Sequence, residues 1–332
     1  MKCVPLTSGD EIPVVGLGTW QATAQEVEDA VTIALDVGYR HIDTAFNYNN
    51  EEAIGNALMK WFSAGKGKRE DVFITSKLPH IGNRAQDVSR FLKMSLERLK
   101  LNYVDLYLIH MPFGFICDES TLTPAVQSNG EYEMDLLTDH LTTWKAMEEQ
   151  VQAGLVKHIG LSNFNAQQIR KVYDNASIKP SVLQVELHAY MQQKQLRAFC
   201  KELNIIVTAY SPLGSPAAKS HFQNKYNFAL NEFPNILGQP VVLELVNKYN
   251  KSPAQILLKH LVQHNIVVIP KSANAARIAD NLNIFDFELA EEDLGKLDAI
   301  DRGEQGRIFN FLFFKGIDKH PEYPFVKLND LC

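Results

Sequence analysis

Short apolar runs of strand length alternate with longer stretches of helical periodicity along most of the chain. Within residues 3–15, two such runs flank Ser8-Gly9-Asp10 and predict a hairpin that precedes the main fold as a cover. VVGLGTW (14–20) predicts a buried strand. The stretch after it places Val27, Ala30, Val31, Ala34 and Leu35 at helical spacing before Gly38. The unit then recurs, with strands expected at 39–43, 72–77, 103–110, 156–162, 182–188, 204–210 and 266–272. Between them, helices are expected near 51–64, 88–99, 139–153, 166–175, 192–203, 239–249 and 253–264. Eight short apolar strands alternating with amphipathic helices are what a parallel (β/α)8 barrel requires, because such strands are covered on both faces. A doubly wound sheet is the alternative, but no G-x-G-x-x-G opens a helix after the first strand.

Three segments break the rhythm: 112–138, 214–238 and 303–332. In a barrel the first two follow the fourth and seventh strands, on the face where active sites are built. The last carries Phe309, Phe311, Phe313, Phe314, Tyr323 and Phe325, too aromatic for a disordered tail, and is expected to pack back as a C-terminal substrate loop. A single barrel domain over 1–332 is therefore expected, with 1–15 as its hairpin cover.

Composition narrows the function classes. A formal net charge of −6 argues against a nucleic-acid partner. Cys3, Cys117, Cys200 and Cys332 are scattered without CxxC or CxH spacing, so neither a disulfide framework nor a metal site is expected. The N-terminus lacks the apolar run of a signal peptide and no stretch reaches membrane-spanning length, which points to a soluble, cytoplasmic protein.

The candidate chemistry sits at the strand ends. Asp43 and Tyr48 follow the second strand, Lys77 ends the third and His110 ends the fourth. A phenol that gives up a proton near neutral pH needs its pKa of about 10 lowered, and Lys77 is expected to supply that positive charge while Asp43 keeps the lysine charged. His110 can hydrogen-bond a substrate oxygen. Each residue alone has a plain reading, as a cap, a packing aromatic, a solvated lysine or a satisfied histidine. Four at consecutive strand ends point to proton donation onto an oxygen that gains charge as hydride reaches its carbon.

The motifs GLGTW (16–20), GYRHIDTAFNYNNE (38–51), SKL (76–78), DLYLIHMP (105–112), GLSNF (160–164), QVELH (184–188), AYSPLGSP (209–216) and IPKSANAARIADN (269–281) together resemble the aldo-keto reductases, in order and at that family's spacing, over essentially the whole chain. The resemblance implies a (β/α)8 barrel that binds extended NADPH, with Tyr48 as general acid, Lys77 and Asp43 tuning it and His110 orienting a carbonyl. It also implies that Thr19 and Trp20 lie beside the cofactor, that Ser162, Asn163 and Gln184 hold the nicotinamide carboxamide, and that Tyr210 stacks on the ring. Ser211, Leu213 and Ser215 would lie along the pyrophosphate. Lys271, Ser272, Asn274 and Arg277 would hold the adenosine 2′-phosphate, with Arg277 also beside the adenine and Asp280 and Asn281 on its far edge. The segment after Gly214 would fold over bound cofactor and govern its exchange. Trp20, Tyr48, His80, His110 and Met111 would line the substrate pocket. Met111 replaces the flat aromatic that members often carry, and Asp280 the usual glutamate. The activity implied is NADPH-dependent reduction of aldehydes and ketones by a monomer. A steroid or ecdysteroid-type ketone reductase is the narrower alternative, and a non-catalytic NADPH-binding sensor or structural protein is the alternative from another class.

Overall fold

A computed structural model describes residues 2–226 and 234–325. The hairpin forms as expected from β1 (Cys3–Pro5) and β2 (Glu11–Pro13), paired antiparallel with Val4 opposite Ile12. Then come β3 (Leu17–Gly18), α1 (Ala24–Val37), β4 (His41–Asp43), α2 (Glu51–Ser63), β5 (Phe73–Leu78), α3 (Ala85–Leu99) and β6 (Val104–Ile109). A short pair, β7 (Cys117–Asp118) and β8 (Thr123–Pro124), interrupts the alternation before α4 (His140–Gln152). The alternation resumes with β9 (Val156–Ser162), α5 (Ala166–Asn175), β10 (Val182–Glu186), α6 (Lys194–Glu202) and β11 (Ile206–Tyr210). After these lie α7 (Ala218–Tyr226), α8 (Pro240–Tyr249), α9 (Pro253–Gln263), β12 (Val267–Val268), α10 (Ala275–Leu282) and α11 (Glu291–Asp298).

The sheet order is β12-β11-β10-β9-β6-β5-β4-β3, with every pairing parallel. Parallel bridges Val15–Val268 and Gly18–Lys271 join its two ends, the closure that a (β/α)8 barrel requires. A Cβ on Gly18 would lie 2.5 Å from the Ile269 carbonyl oxygen, so this seam needs glycine. The first and last strands are shorter than the sequence predicts. β12 ends at Val268, short of Pro270, which has no N–H to donate to a ladder.

Local signals set the helix ends. Thr23 and Glu26 form a reciprocal capping box at the start of α1, and Gly38, at φ 109°, closes it in the left-handed region. The helices' apolar faces pack onto the outside of the sheet. Inside the barrel, Leu6 and Ile12 of the hairpin region pack with Phe73, Leu106, Leu108, Val182 and Val267, so the hairpin plugs the end away from the strand C-termini. His158 in β9 holds its turn, with Nε2 2.9 Å from Asp10 Oδ2.

One expectation changes above the strand C-termini. The 214–238 segment, expected to be irregular, carries α7. The only large apolar residues within α7 are Phe222 and Tyr226, too few for a periodic signal; the helix is held by tertiary contacts with the C-terminal aromatics. The rest of the expected cofactor cover, 227–233, lies outside the described residues, as do 326–332 of the tail with Cys332. The aromatic tail packs back as expected: Phe309, Phe311, Phe313 and Phe314 join buried clusters, and the Tyr132 N–H donates to the Lys315 carbonyl at 3.2 Å. Among the described residues no helix is long and apolar enough to cross a membrane.

Candidate active site

The parallel register puts the four proton-handling residues on one rim. Asp43 ends β4, Tyr48 ends the single 3₁₀ turn Phe46–Tyr48 that follows, Lys77 is the penultimate residue of β5, and His110 comes directly after β6. Lys77 and Asp43 are both buried, and the ammonium lies 2.6 Å from Asp43 Oδ1. The Lys77 ammonium also donates to the Thr44 carbonyl at 2.8 Å and reaches the Tyr48 hydroxyl at 3.4 Å. The second Asp43 oxygen accepts from Gln184 Nε2 at 2.7 Å, so both carboxylate oxygens are occupied. A buried ion pair persists only when its remaining hydrogen-bonding capacity is filled, and Thr44 and Gln184 fill it here. Thr19 Oγ1 donates to the Asp43 carbonyl at 2.9 Å, and Asn50 Nδ2 donates to the Thr19 carbonyl at 2.8 Å, locking the ends of β3 and β4 together.

Electrostatics correct one expectation. Burial pushes the Tyr48 phenol well above its ordinary value, and the Asp43 charge pushes the same way. The positive charge of Lys77, 2.6 Å from Asp43 and 3.4 Å from Tyr48, does not overcome burial and the Asp43 charge, so the net direction is upward rather than downward. The phenol therefore keeps its proton at neutral pH. Burial likewise draws Lys77 down from its ordinary value, with Asp43 opposing. His110 is pulled well below 6.5 by burial and then by the charge of Lys77, which leaves a neutral imidazole. Its ring sits edge-on to Tyr48 at 5.7 Å, and its buried Nδ1 has no partner among the described residues.

Around these four, the sequence-derived residues fall into two groups. Near this rim, Asn163 Nδ2 donates to the His110 carbonyl at 3.0 Å and lies 3.1 Å from both Met111 Sδ and Ser162 Oγ. Asn163 Oδ1 accepts from the Tyr210 hydroxyl at 2.8 Å. Asn163, Ser211 and Ser215 all have positive φ, at 64°, 53° and 43°, the left-handed region that costs a non-glycine residue some strain. Ser215 Oγ donates to Ser211 Oγ at 2.6 Å, and Leu213 lies half-buried between them. Met111 is buried against Asn163 rather than open as a wall, and His80 packs edge-on between Phe115 and Phe314 at 5.1 and 5.3 Å. Trp20 meets Phe309 at 5.6 Å and His221 at 5.3 Å, and Tyr210 meets Phe309 at 5.8 Å.

The second group lies at the start of α10. Asn274 caps that helix by accepting from the Arg277 N–H, and Ser272 Oγ accepts from the Asn274 N–H at 3.1 Å. Lys271 and Arg277 are exposed and neither is ion-paired among the described residues, while Asn281 is buried and Asp280 exposed. Exposed cations beside a helix N-terminus fit a small anion.

Glu186 is the residue the sequence reading passed over. It ends β10 fully buried, and its carboxylate accepts the Ile308 and Phe309 N–H groups at 2.7 and 2.9 Å together with His188 Nε2 at 2.9 Å. Burial alone would raise this carboxyl, but the His188 hydrogen bond, the nearby charges and the Ile308 N–H outweigh it and hold it below the ordinary range. Glu186 thereby pins the tail where Phe309 faces Trp20 and Tyr210. A charged residue ending the apolar strand VLQVE was the available signal. Glu186→Gln should place an amide donor against a backbone N–H, cost about 1–3 kcal/mol in urea unfolding and raise the KM for an aromatic aldehyde. Unchanged stability and KM would show that the tail is held by other contacts.

The family model described as "Aldo/keto reductase family" matches residues 14–302, and the chain belongs to that family. It is thus an oxidoreductase that acts on carbonyl groups. Among its relatives is aldo-keto reductase family 1 member A1 of Gallus gallus, 42% identical over 328 residues that cover 97% of each chain. The Homo sapiens protein of the same name is 42% identical over 302 residues, covering 91% of this chain and 90% of the relative. A solved structure of the aldose reductase from Schistosoma japonicum superimposes with a TM-score of 0.88 at 39% identity, covering 99% of this chain and 100% of that one.

Proposed function

We propose that the protein reduces aldehydes and ketones to alcohols with NADPH, using Tyr48 as the proton donor. The observation that carries this reading is the protonated Tyr48 phenol set 3.4 Å from a buried lysine and edge-on to a neutral His110 on the same rim. The residues present suit the cofactor: Asn163, Gln184 and Ser162 offer amide and hydroxyl groups for a carboxamide, Tyr210 offers a half-exposed ring, and Lys271 and Arg277 offer free charge for a phosphate. A bound reduced nicotinamide supplies the hydride. The protein's part is to orient the carbonyl oxygen between His110 and Tyr48, exclude water with the Trp20 and Phe309 wall, and deliver the Tyr48 proton to that oxygen. Lys77 stabilises the resulting phenolate while Asp43 and Thr44 hold the lysine in place.

The aromatic ring around the site, from Trp20, Phe309 and His221, favours flat apolar carbonyl compounds over sugars. Oxidation of NADPH, followed by absorbance with an activated aromatic aldehyde and an aldose side by side, tests the activity and this preference. Binding of NADPH without turnover across a broad carbonyl panel would replace it with a sensor role.

Choice of nicotinamide rests on α10. Arg277→Ala should raise the KM for NADPH by about tenfold to a hundredfold, the worth of a charge-assisted hydrogen bond, and leave the KM for NADH unchanged. Equal losses for both cofactors would remove Arg277 from phosphate recognition.

A further inference from the structure

The last turn of α9 carries His260 and, one helical turn on at its C-cap, His264. Residues four apart lie on one helix face, so both imidazoles point the same way. Opposite them, near the end of α11, Asp298 Oδ1 lies 2.8 Å from His260 Nε2 and 2.9 Å from His264 Nε2. Possible ligand atoms from all three residues fall within 4.8 Å of one another. Because α9 runs into the start of β12, this cluster sits at the barrel end opposite the Tyr48 rim, and no part of the proposed reaction uses it.

The geometry points to a divalent transition-metal site formed by His260, His264 and Asp298, with a fourth position open to water. Two imidazoles and a carboxylate are a ligand set that suits zinc, copper or nickel, and paired histidines one turn apart on a helix provide the bite that such ions use. At metal–ligand bonds of about 2.0–2.1 Å, tetrahedral donors stand about 3.3 Å apart, so loading needs each imidazole to recede from Asp298 by about 0.5 Å and to carry its single proton on Nδ1, leaving the Nε2 lone pair for the ion. His264 and Asp298 are half-buried and leave a path for the ion, whereas His260 is buried.

Charge around the cluster is balanced rather than acidic. Arg197 faces Asp298 and Asp301, and Lys194 donates to the Asp298 carbonyl at 3.0 Å while lying 3.5 Å from Asp301. Two cations thus offset the two carboxylates. His260 Nδ1 is buried without a partner among the described residues, so the outer hydrogen bond that usually strengthens a histidine ligand is missing. Both features predict a reversible, exchangeable ion rather than one required for folding. Its effect is to clamp α11 to α9, two helices that Asp298 otherwise joins only through hydrogen bonds.

Cobalt(II) titrated into the untagged full-length protein is the test, since its visible absorption reports coordination number directly. The expected result is one cobalt per chain with the intense bands of a four-coordinate ion, a melting temperature that rises with added zinc, and unchanged NADPH-dependent turnover. His264→Gln and Asp298→Asn should each weaken cobalt binding by about tenfold or more and abolish the zinc-dependent rise, while keeping the metal-free melting temperature close to that of the parent. Absence of saturable cobalt binding at millimolar concentration, or binding that survives both substitutions, would overturn the site and leave the trio a hydrogen-bonded helix clasp.

Discussion

Tyr48→Phe is expected to abolish carbonyl reduction, lowering kcat by about 10²–10⁴-fold, the range for loss of a positioned general acid, while NADPH binds as before. The substitution removes one hydroxyl from a half-buried ring whose neighbours include the Lys77 ammonium, 4.9 Å from its centroid, and the His110 ring. Stability should therefore hardly move, and fluorescence titration with NADPH separates loss of chemistry from loss of binding. Retained turnover in the phenylalanine variant would make His110 or a water the donor. It would also leave the protonated phenol without a function.

Lys77→Met should have the largest effect on stability as well as removing activity. Lys77 is fully buried, and its departure leaves Asp43 with Gln184 alone. Breaking a buried pair by removing one partner costs about 3–5 kcal/mol, because the other charge stays desolvated. Converting the partner too, as Asp43→Asn with Lys77→Met, should recover much of that stability in denaturant unfolding, since no buried charge is then left alone, but none of the activity. Recovery of turnover in the double variant would show that the ion pair serves the fold only. A single variant as stable as the parent would show that the lysine is not needed to offset the buried Asp43 side chain.

Much of this was legible because it depends on local pattern. The hairpin, the alternation and the helix ends follow from apolar spacing and from particular residues such as Thr23 with Glu26 and Gly38. What escaped depended on contacts between distant segments. The α7 helix has too few apolar residues to announce itself and forms against Phe309 and Phe313, residues that follow it by about a quarter of the chain. Glu186 looked like one letter of a strand motif, and its role as an anchor exists only because the tail returns to present two N–H groups to it. The His260 and His264 pair was visible as a spacing, but Asp298, from another helix, makes it a candidate ligand set.

By itself the sequence determined the alternation of strands and helices, the family, and the four residue types at the strand ends, since each is written in short-range order. Tertiary structure alone decided how their charges are shared. HIDTAFNYNNEE and SKL place a phenol and a cation on adjacent strands. Only packing decides that the lysine lies closer to Asp43 than to Tyr48, and burial, joined by the charges of Asp43 and Lys77, decides that the phenol titrates high and the histidine low. The reason is physical: desolvation and Coulomb terms depend on distances through the fold, not on distance along the chain.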